Sequence, residues 1–400
     1  MSQQGLVKRT LDFLDQRRLT VLNGGINSIP SPFKRFSDDF IGFEQKMMYL
    51  VSSYTKGGKT QFTLSLLFDA LEYAFNHRDQ LRLKIFYIIL EETDEGMTQR
   101  YISYLLNRLS GIRISPRDLR SSKNDRPLDE NILLLLQDQQ YQERLEFFEK
   151  VFEFSTVSNP TGILKLAKQY AEENGTTHYK KTKYKDEFGV TKEADAFDWY
   201  EPNDPSEYKF IVIDHLALCD PERGMTQKEA MDKISEYCAK NLRNKYGFTV
   251  IVIQQQSAES ESNDSVKLGR IRPSVRGLGD SRYPARDCNL MLGLFSPYKF
   301  GLESYLGYDI KKFKDHIRFL EVCIGRDGAQ GGIIALFFDG ATCSFYELPP
   351  PNDEVGLVKV YRYIEELEKP SKPAKSFFIK TFNQLKHGKL LHYFRKIRNW

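Results

Sequence analysis

A chain of 400 residues with 40% hydrophobic and 28% charged side chains can bury a sizeable core, as one large α/β domain with extensions or as two modest domains. Its net charge of +4 says little by itself, so the placement of the positive charges matters more than their sum. The five cysteines (219, 238, 288, 323 and 343) are scattered without a CxxC spacing, which points to reduced structural thiols and away from a disulfide frame or a zinc site. The N-terminus lacks the apolar stretch of a signal peptide, and no apolar run reaches the roughly 18 residues that span a membrane, so a soluble cytoplasmic protein is expected.

In chain order, residues 5–19 carry Leu6, Leu11 and Leu14 at helical spacing among charges, and the Gly- and Pro-rich "NGGINSIPSP" comes next. This predicts a short amphipathic helix on a tether, free to pack on its own domain or to reach a neighbouring subunit. "MMYLVS" (47–52) reads as a strand, and "TQFTLSLLFDALEYAF" as a helix with Phe62, Leu66, Ala70 and Ala74 on one stripe. "KIFYIIL" (84–90) is a second buried strand, followed by a helical "GMTQRYISYLLNRLSG". "YKFIVID" (208–214) and "FTVIVI" (248–253) are two more, and the helix between them opens with Thr226 and Glu229 in capping-box spacing and ends near Gly247. Apolar strands alternating with amphipathic helices predict a mainly parallel sheet with helices on both faces. "NLMLGLF", "RFLEVCI" and "GIIALFF" are separated more by turns, which predicts antiparallel strands extending that sheet. The polar segment 174–207, basic first and acidic afterwards, is expected to be an inserted hairpin or excursion.

The residues just beyond each apolar run carry the chemistry, because ligands of open α/β sheets sit outside the carboxyl ends of the strands. After the first run, "SSYTKGGKT" matches G-x-x-x-x-G-K-[ST] except that Ser53 stands where the first glycine belongs. Ser53, Lys56, Gly57, Gly58, Lys59, Thr60 and Gln61 are therefore the candidate nucleotide-binding residues, with Lys59 reaching the β- and γ-phosphates of ATP and Thr60 ligating Mg²⁺. A glycine turn before a helix with an exposed lysine is the bland alternative. After the second run come Glu91 and Glu92, where a carboxylate can orient an attacking water; an acidic pair at a helix N-terminus is the plain alternative. After "FIVI" comes Asp214, a candidate metal ligand or a helix cap, and after "VIVI" come Gln254, Gln255 and Gln256, whose amides suit contact with a γ-phosphate and a moving loop.

These stretches resemble the RecA-like motor domain of DnaB-type hexameric replicative helicases over about residues 20–348. The first glycine of that family's phosphate loop is commonly another small residue, as Ser53 is here. "FYIILEE" resembles its strand ending in Leu-Glu, which implies Glu91 as the catalytic carboxylate. "FIVIDHLAL" is similar to its Asp-Tyr-Leu motif, with His215 in place of tyrosine, and "VIVIQQQ" to its Ser-Gln-Leu motif, which implies Gln255 as the sensor. "VCIGRDGAQGGIIALFF" resembles its Lys-Gln-Arg-Asn-Gly hairpin, making Arg326 the arginine finger that reaches a neighbour's ATP. Ile324 stands where the family has a lysine, Gly-Leu-Gly-Asp-Ser replaces Asp-Leu-Arg-Glu-Ser, and a separate N-terminal collar domain is expected to be absent.

The resemblance implies a RecA-like P-loop NTPase with ATP and Mg²⁺ as cofactors, single-stranded DNA as partner and a homo-oligomer, usually a hexamer, with a possible primase or loader. Lys267, Arg270, Arg272, Arg276, Arg282 and Arg286 lie in one glycine-containing segment against a single acid, Asp280, and are expected to hold a phosphate backbone; a solvated basic loop is the alternative. The expected organisation is a linker-like helix and loop (1–30), a motor domain (31–350) with the insertion, and a basic amphipathic tail (351–400). From Lys369 the tail holds nine Lys or Arg and no acid, among regularly spaced aromatics, which suits docking on a partner first and nucleic acid or a membrane surface next. An ATP-driven helicase or translocase is the leading expectation. A recombinase-like or clock-type ATPase and a ring-forming assembly module are the alternatives.

Overall fold

The computed structural model describes residues 6–185, 187–257, 271–279, 281–326, 328 and 331–368. The strands are β1 (Met48–Ser53), β2 (Arg82–Ile89), β3 (Phe152–Ser155), β4 (Gly175–Lys185), β5 (Thr191–Pro202), β6 (Glu207–Asp214), β7 (Thr249–Gln255), β8 (Leu290–Phe295), β9 (Ile317–Gly325), β10 (Ile333–Asp339) and β11 (Ser344–Glu347), leaving aside two-residue pieces. The longer helices are α1 (Leu6–Leu22), α2 (Lys59–Asn76), α3 (Asp94–Leu105), α4 (Gln139–Val151), α5 (Pro160–Glu173), α6 (Gln227–Glu236) and α7 (Glu354–Glu368). Nine strands form one sheet in the order β11-β10-β9-β8-β1-β7-β6-β2-β3. From β8 to β3 every pairing is parallel, and β9, β10 and β11 extend that edge in antiparallel fashion.

Alternation along each strand divides the core. Tyr49, Val51, Ile85, Tyr87, Phe210, Val212, Ile251 and Ile253 face one layer, which contains α2, α3 and α4. Met48, Leu50, Phe86, Ile88, Ile211, Ile213, Val250 and Val252 face the other, which contains α5 and α6. The strands are apolar throughout because both faces are covered. On α2 the expected stripe is buried, yet Leu64, Leu67, Phe68 and Leu71 are buried too. The aromatics Phe33, Phe36, Phe40 and Phe43 belong to the same cluster and close over this layer, so α2 is a core helix and not a surface one.

Helix ends follow local chemistry. Thr226 and Glu229 form the expected capping box on α6, and a π-helical continuation, Tyr237–Arg243, precedes Gly247, whose φ is +73°. The "NLMLGLF" run departs from expectation in one respect: β8 is parallel to β1 and antiparallel to β9, because it starts at the same end of the sheet as β1. The tail boundary at 351 is crossed by packing, since Leu357, Val360 and Ile364 of α7 join a third cluster with Phe313, Phe319 and Phe337. The basic stretch beyond 368 lies outside the described residues.

The 174–207 insertion is an antiparallel hairpin, β4 with β5, projecting between α5 and β6. Lys180–Asp198 and Lys181–Asp195 pair across it, and its root is held by Tyr200, whose hydroxyl donates to the Ala171 and Asn174 carbonyls at 2.9 and 3.2 Å. Beneath that root Lys209 is buried, donating to the Tyr246 carbonyl at 3.0 Å with the Tyr200 ring 4.5 Å away. Burial lowers its pKa from 10.5 to about 8. Between those two values the unfolded chain holds a proton that the folded chain has released, so this group makes stability rise with pH across that window. Urea titrations should therefore show the midpoint difference between wild type and Lys209→Met moving in favour of wild type from pH 8 to pH 10.5. A pH-independent difference would contradict the buried charge.

Candidate functional site

Parallel register sets the carboxyl ends of the strands side by side: Ser53 pairs with Gln255, and Ile89 with Asp214. β1 leads into a tight loop, with Gly57 N–H donating to the Tyr54 carbonyl at 3.0 Å, Lys56 at φ +54° and Gly58 at φ +97°. Gly58 caps α2 without a side-chain bond, so the first turn leaves its N–H groups for an anion. Ser53 is wholly buried behind the loop. A Cβ on Gly57 would lie 1.8 Å from Ser53 Oγ, so the two positions constrain each other's size, and the missing glycine is accommodated by a serine facing a glycine.

The side chains converge. Lys59, 9% exposed, directs Nζ to Gln255 Oε1 at 3.5 Å, and Gln255 Nε2 donates to Thr55 Oγ1 at 2.6 Å. Thr60 Oγ1 donates to Asp214 Oδ1 at 3.1 Å, while the buried Tyr87 hydroxyl donates to Asp214 Oδ2 at 2.7 Å. Burial pushes the Asp214 carboxyl up; the hydrogen bonds from Tyr87 and Thr60 and the charge of Lys59 oppose that rise, and Glu91 adds to it. Glu91 is exposed and accepts no hydrogen bond among the described residues, whereas Glu92 is clamped by both ends of the Arg100 guanidinium, with Nε at 2.9 Å. Of the acidic pair, Glu91 is the one left facing the site. Lys56 lies exposed at the crest of the loop, and Gln61 sits on the first turn of α2 with Oε1 buried.

No group of three or more His, Cys, Asp or Glu suited to a metal occurs among the described residues. A hydroxyl and a carboxylate in contact, beside a lysine and free helix N–H groups, instead suit a hard cation that takes its remaining oxygens from phosphates and water. The thiols of Cys219, Cys288, Cys323 and Cys343 are pushed up to about 12 by burial, which removes them as nucleophiles.

Arg326 is exposed and does not join this cluster. It follows β9, whose start is beside the glycine loop and whose end pairs Gly325 with Leu290, at the opposite end of the strands. Eight residues of strand separate Arg318 from Arg326, about 26 Å at the usual rise. Its side chain donates to the Arg286 carbonyl, and it lines a surface pocket with Asp38, Asp39 and Glu44.

Of the basic segment, Lys267 and Arg270 lie outside the described residues. Arg272 bonds Tyr305 at 2.7 Å and pairs with Glu321 at 3.4 Å, and Arg286 pairs with Asp287 at 3.1 Å. Arg276 and Arg282 are exposed. The segment is less loop-like than its glycines suggest, since Tyr283–Asp287 is a helix anchored to α6 through Ser281–Asp232 (2.6 Å) and Asp287–Ser235 (2.9 Å). Three neighbours of the site went unread in the sequence: Tyr87, Arg318, and Lys299, which reaches the Thr55 carbonyl. A phenol inside an apolar run looks like core. A lone arginine at the head of a strand looks like edge decoration.

No family model matches the sequence, and no curated protein matches it. Solved structures do share the fold. One, an isolated ATPase domain, matches with a TM-score of 0.59 at 16% identity, over 87% of this chain and 100% of that one. Another, a DnaB-like replicative helicase described together with its interactions with primase, matches with a TM-score of 0.56 at 16% identity, over 86% of this chain and 67% of that one. The fold is thus that of a RecA-like ATPase domain, of the kind carried by DnaB-type replicative helicases, in agreement with the motif resemblance.

The contact between Ser53 and Gly57 makes a direct prediction. Gly57→Ala should destabilise the protein by more than about 1 kcal/mol, Ser53→Ala should be near neutral, and the double variant should recover part of the loss. Additive urea-denaturation energies for the pair would contradict the contact.

Proposed function

We propose that this chain is an ATP-hydrolysing DNA motor, a helicase or translocase that works as a ring of identical subunits on single-stranded DNA during replication. The observation that carries the reading is the division of labour across the sheet. Lys59, Thr60, Asp214 and Gln255 meet at one end, and the exposed Arg326 stands at the other. A cation about 26 Å along the strand from its own phosphate loop is out of reach of the nucleotide there, which supports a role at a nucleotide held by another copy.

In this reading the N–H groups of Gly58 and the first turn of α2 hold the phosphates, with Gly57 shaping the loop beside the flanking residues Ser53, Lys56 and Gln61. Lys59 neutralises the β- and γ-phosphates, and Thr60 and Asp214 hold Mg²⁺. The bound ion would draw charge from the phosphate oxygens. Glu91 orients the attacking water and accepts its proton. Arg326 of one subunit stabilises charge developing on the γ-phosphoryl group bound by the next. Gln255 reads the γ-phosphate while Gln254 and Gln256 hold the basic segment: Gln254 Nε2 donates to the Leu278 and Ser281 carbonyls at 2.7 and 2.8 Å, and Ser274 N–H donates to Gln256 Oε1 at 3.1 Å. A change at the nucleotide is thereby passed to Arg276 and Arg282, which with Lys267, Arg270 and Arg272 hold the DNA backbone without reading bases.

The N-terminal helix suits assembly. Leu11, Phe13, Leu14 and Val21 of α1 are 56–60% exposed, and a neighbouring copy would cover them. The proposed organisation keeps 1–30 as that linker, 31–350 as the motor with its hairpin, and 351–400 as a helix and basic tail for a primase, a loader or another subunit. No helix among the described residues is long and apolar enough to cross a membrane.

A forked duplex with ATP tests the activity: strand separation is expected, and failure of DNA to alter either hydrolysis or assembly would refute the motor. If the strands stay paired while single-stranded DNA speeds hydrolysis, the protein translocates or forms filaments without unwinding. Separately, Arg326→Ala should lower ATP turnover by at least about a hundredfold while leaving ATP affinity intact. Normal turnover would remove Arg326 from the reaction.

A further inference from the structure

Arg318 is among the largest fully buried side chains, 2% exposed, at the start of β9. A buried guanidinium is costly unless every donor is used. Here Nε donates to the Gly57 carbonyl at 3.1 Å, and Nη1 to the Asp315 and Ile317 carbonyls at 2.7 and 2.9 Å and to Ser296 Oγ at 3.3 Å. Nη2 pairs with Asp315 Oδ1 at 3.0 Å, and the Phe338 ring lies 4.5 Å from Cζ. Arg318 Nε and Phe338 both lie 3.9 Å from the Cβ position of Gly58, so the cation sits directly beneath the two glycines.

The bond to Gly57 has a geometric consequence. The Gly57 carbonyl and the Gly58 N–H belong to one planar trans peptide and point in opposite directions. Drawing the carbonyl inward to Arg318 turns the Gly58 N–H outward, into the hollow of the loop. Glycines at both positions leave that peptide free to flip, so an external tether is needed to choose one orientation. Gly57 N–H is already spent on Tyr54, which leaves the Gly58 N–H as the group the tether presents.

We propose that Arg318 is a positioning residue for the phosphate loop, holding the Gly57–Gly58 peptide so that the Gly58 N–H faces a phosphate of the bound nucleotide. This rests on reading the loop as a triphosphate site. Lysine cannot replace it, because the lysine chain has only a methylene where Nε stands and cannot serve the Asp315, Ile317 and Gly57 carbonyls together.

The test is fluorescent-nucleotide titration of the full chain and of Arg318→Met and Arg318→Lys, with thermal unfolding measured in parallel. Dissociation constants for ATP and ADP are expected to rise together, about tenfold in Arg318→Met and at least about threefold in Arg318→Lys, in protein that still unfolds cooperatively. A lowered melting temperature with unchanged affinity in the folded protein would mean that Arg318 is only a core residue, and would overturn the proposal. If Arg318→Met does not fold, Arg318→Lys decides by the same criterion. A wild-type chain that binds neither nucleotide would instead sink the triphosphate reading on which the proposal stands.

Discussion

The parallel pairing of β1 with β7 and of β2 with β6 is the constraint on which everything else in the molecule rests. Two backbone ladders place Ser53 level with Gln255 and Ile89 level with Asp214. Because successive residues on a strand face opposite layers, a slip of one residue would send the buried set to the wrong face and move every strand-end side chain. Burial on both sides fixes that register with many apolar contacts. The short polar contacts at the strand ends, such as Thr60 to Asp214 and Gln255 to Thr55, are then by-products of a core that could be assembled only one way.

The antiparallel extension joins the two ends of the sheet. Near its start β9 places Arg318 under the glycine loop, and it leaves the sheet at Gly325, so one strand connects a buried cation at the candidate site with an exposed one at the far end. The two arginines are chemically alike and physically opposite. Arg318 is held by five contacts to carbonyl, hydroxyl and carboxylate groups and has lost its contact with water. The Arg326 side chain is exposed and donates to the Arg286 backbone carbonyl, the contact that the proposed role would exchange for a partner on another copy. Burial fixes the first guanidinium in one geometry, and exposure leaves the second open to other partners.

Much of this was legible in the amino-acid pattern, for reasons that differ from element to element. The runs 47–52, 84–90, 208–214 and 248–253 were readable as strands because a doubly covered sheet demands uninterrupted apolar residues, and their last residues therefore marked the site. The capping box of α6 was legible because it is a local bond between Thr226 and Glu229. The features that could not be read depend on contacts between distant parts of the chain. The direction of β8 is set by its pairing with β1, far away in the sequence. Full burial of α2 needs the Phe33–Phe43 aromatics to fold over it. The bonds of Tyr87 to Asp214 and of Arg318 to Gly57 span 127 and 261 residues of sequence, and no spacing rule links them.

The claim that nucleotide is shared between copies can be examined with two inactive proteins. Lys59→Ala removes the phosphate-loop cation and keeps Arg326; Arg326→Ala does the reverse. Mixed under conditions of subunit exchange, the two should regain DNA-stimulated ATP hydrolysis, because interfaces arise in which an intact loop faces an intact arginine. Mixtures that stay as inactive as either variant alone, despite proven exchange, would contradict a site built by two subunits.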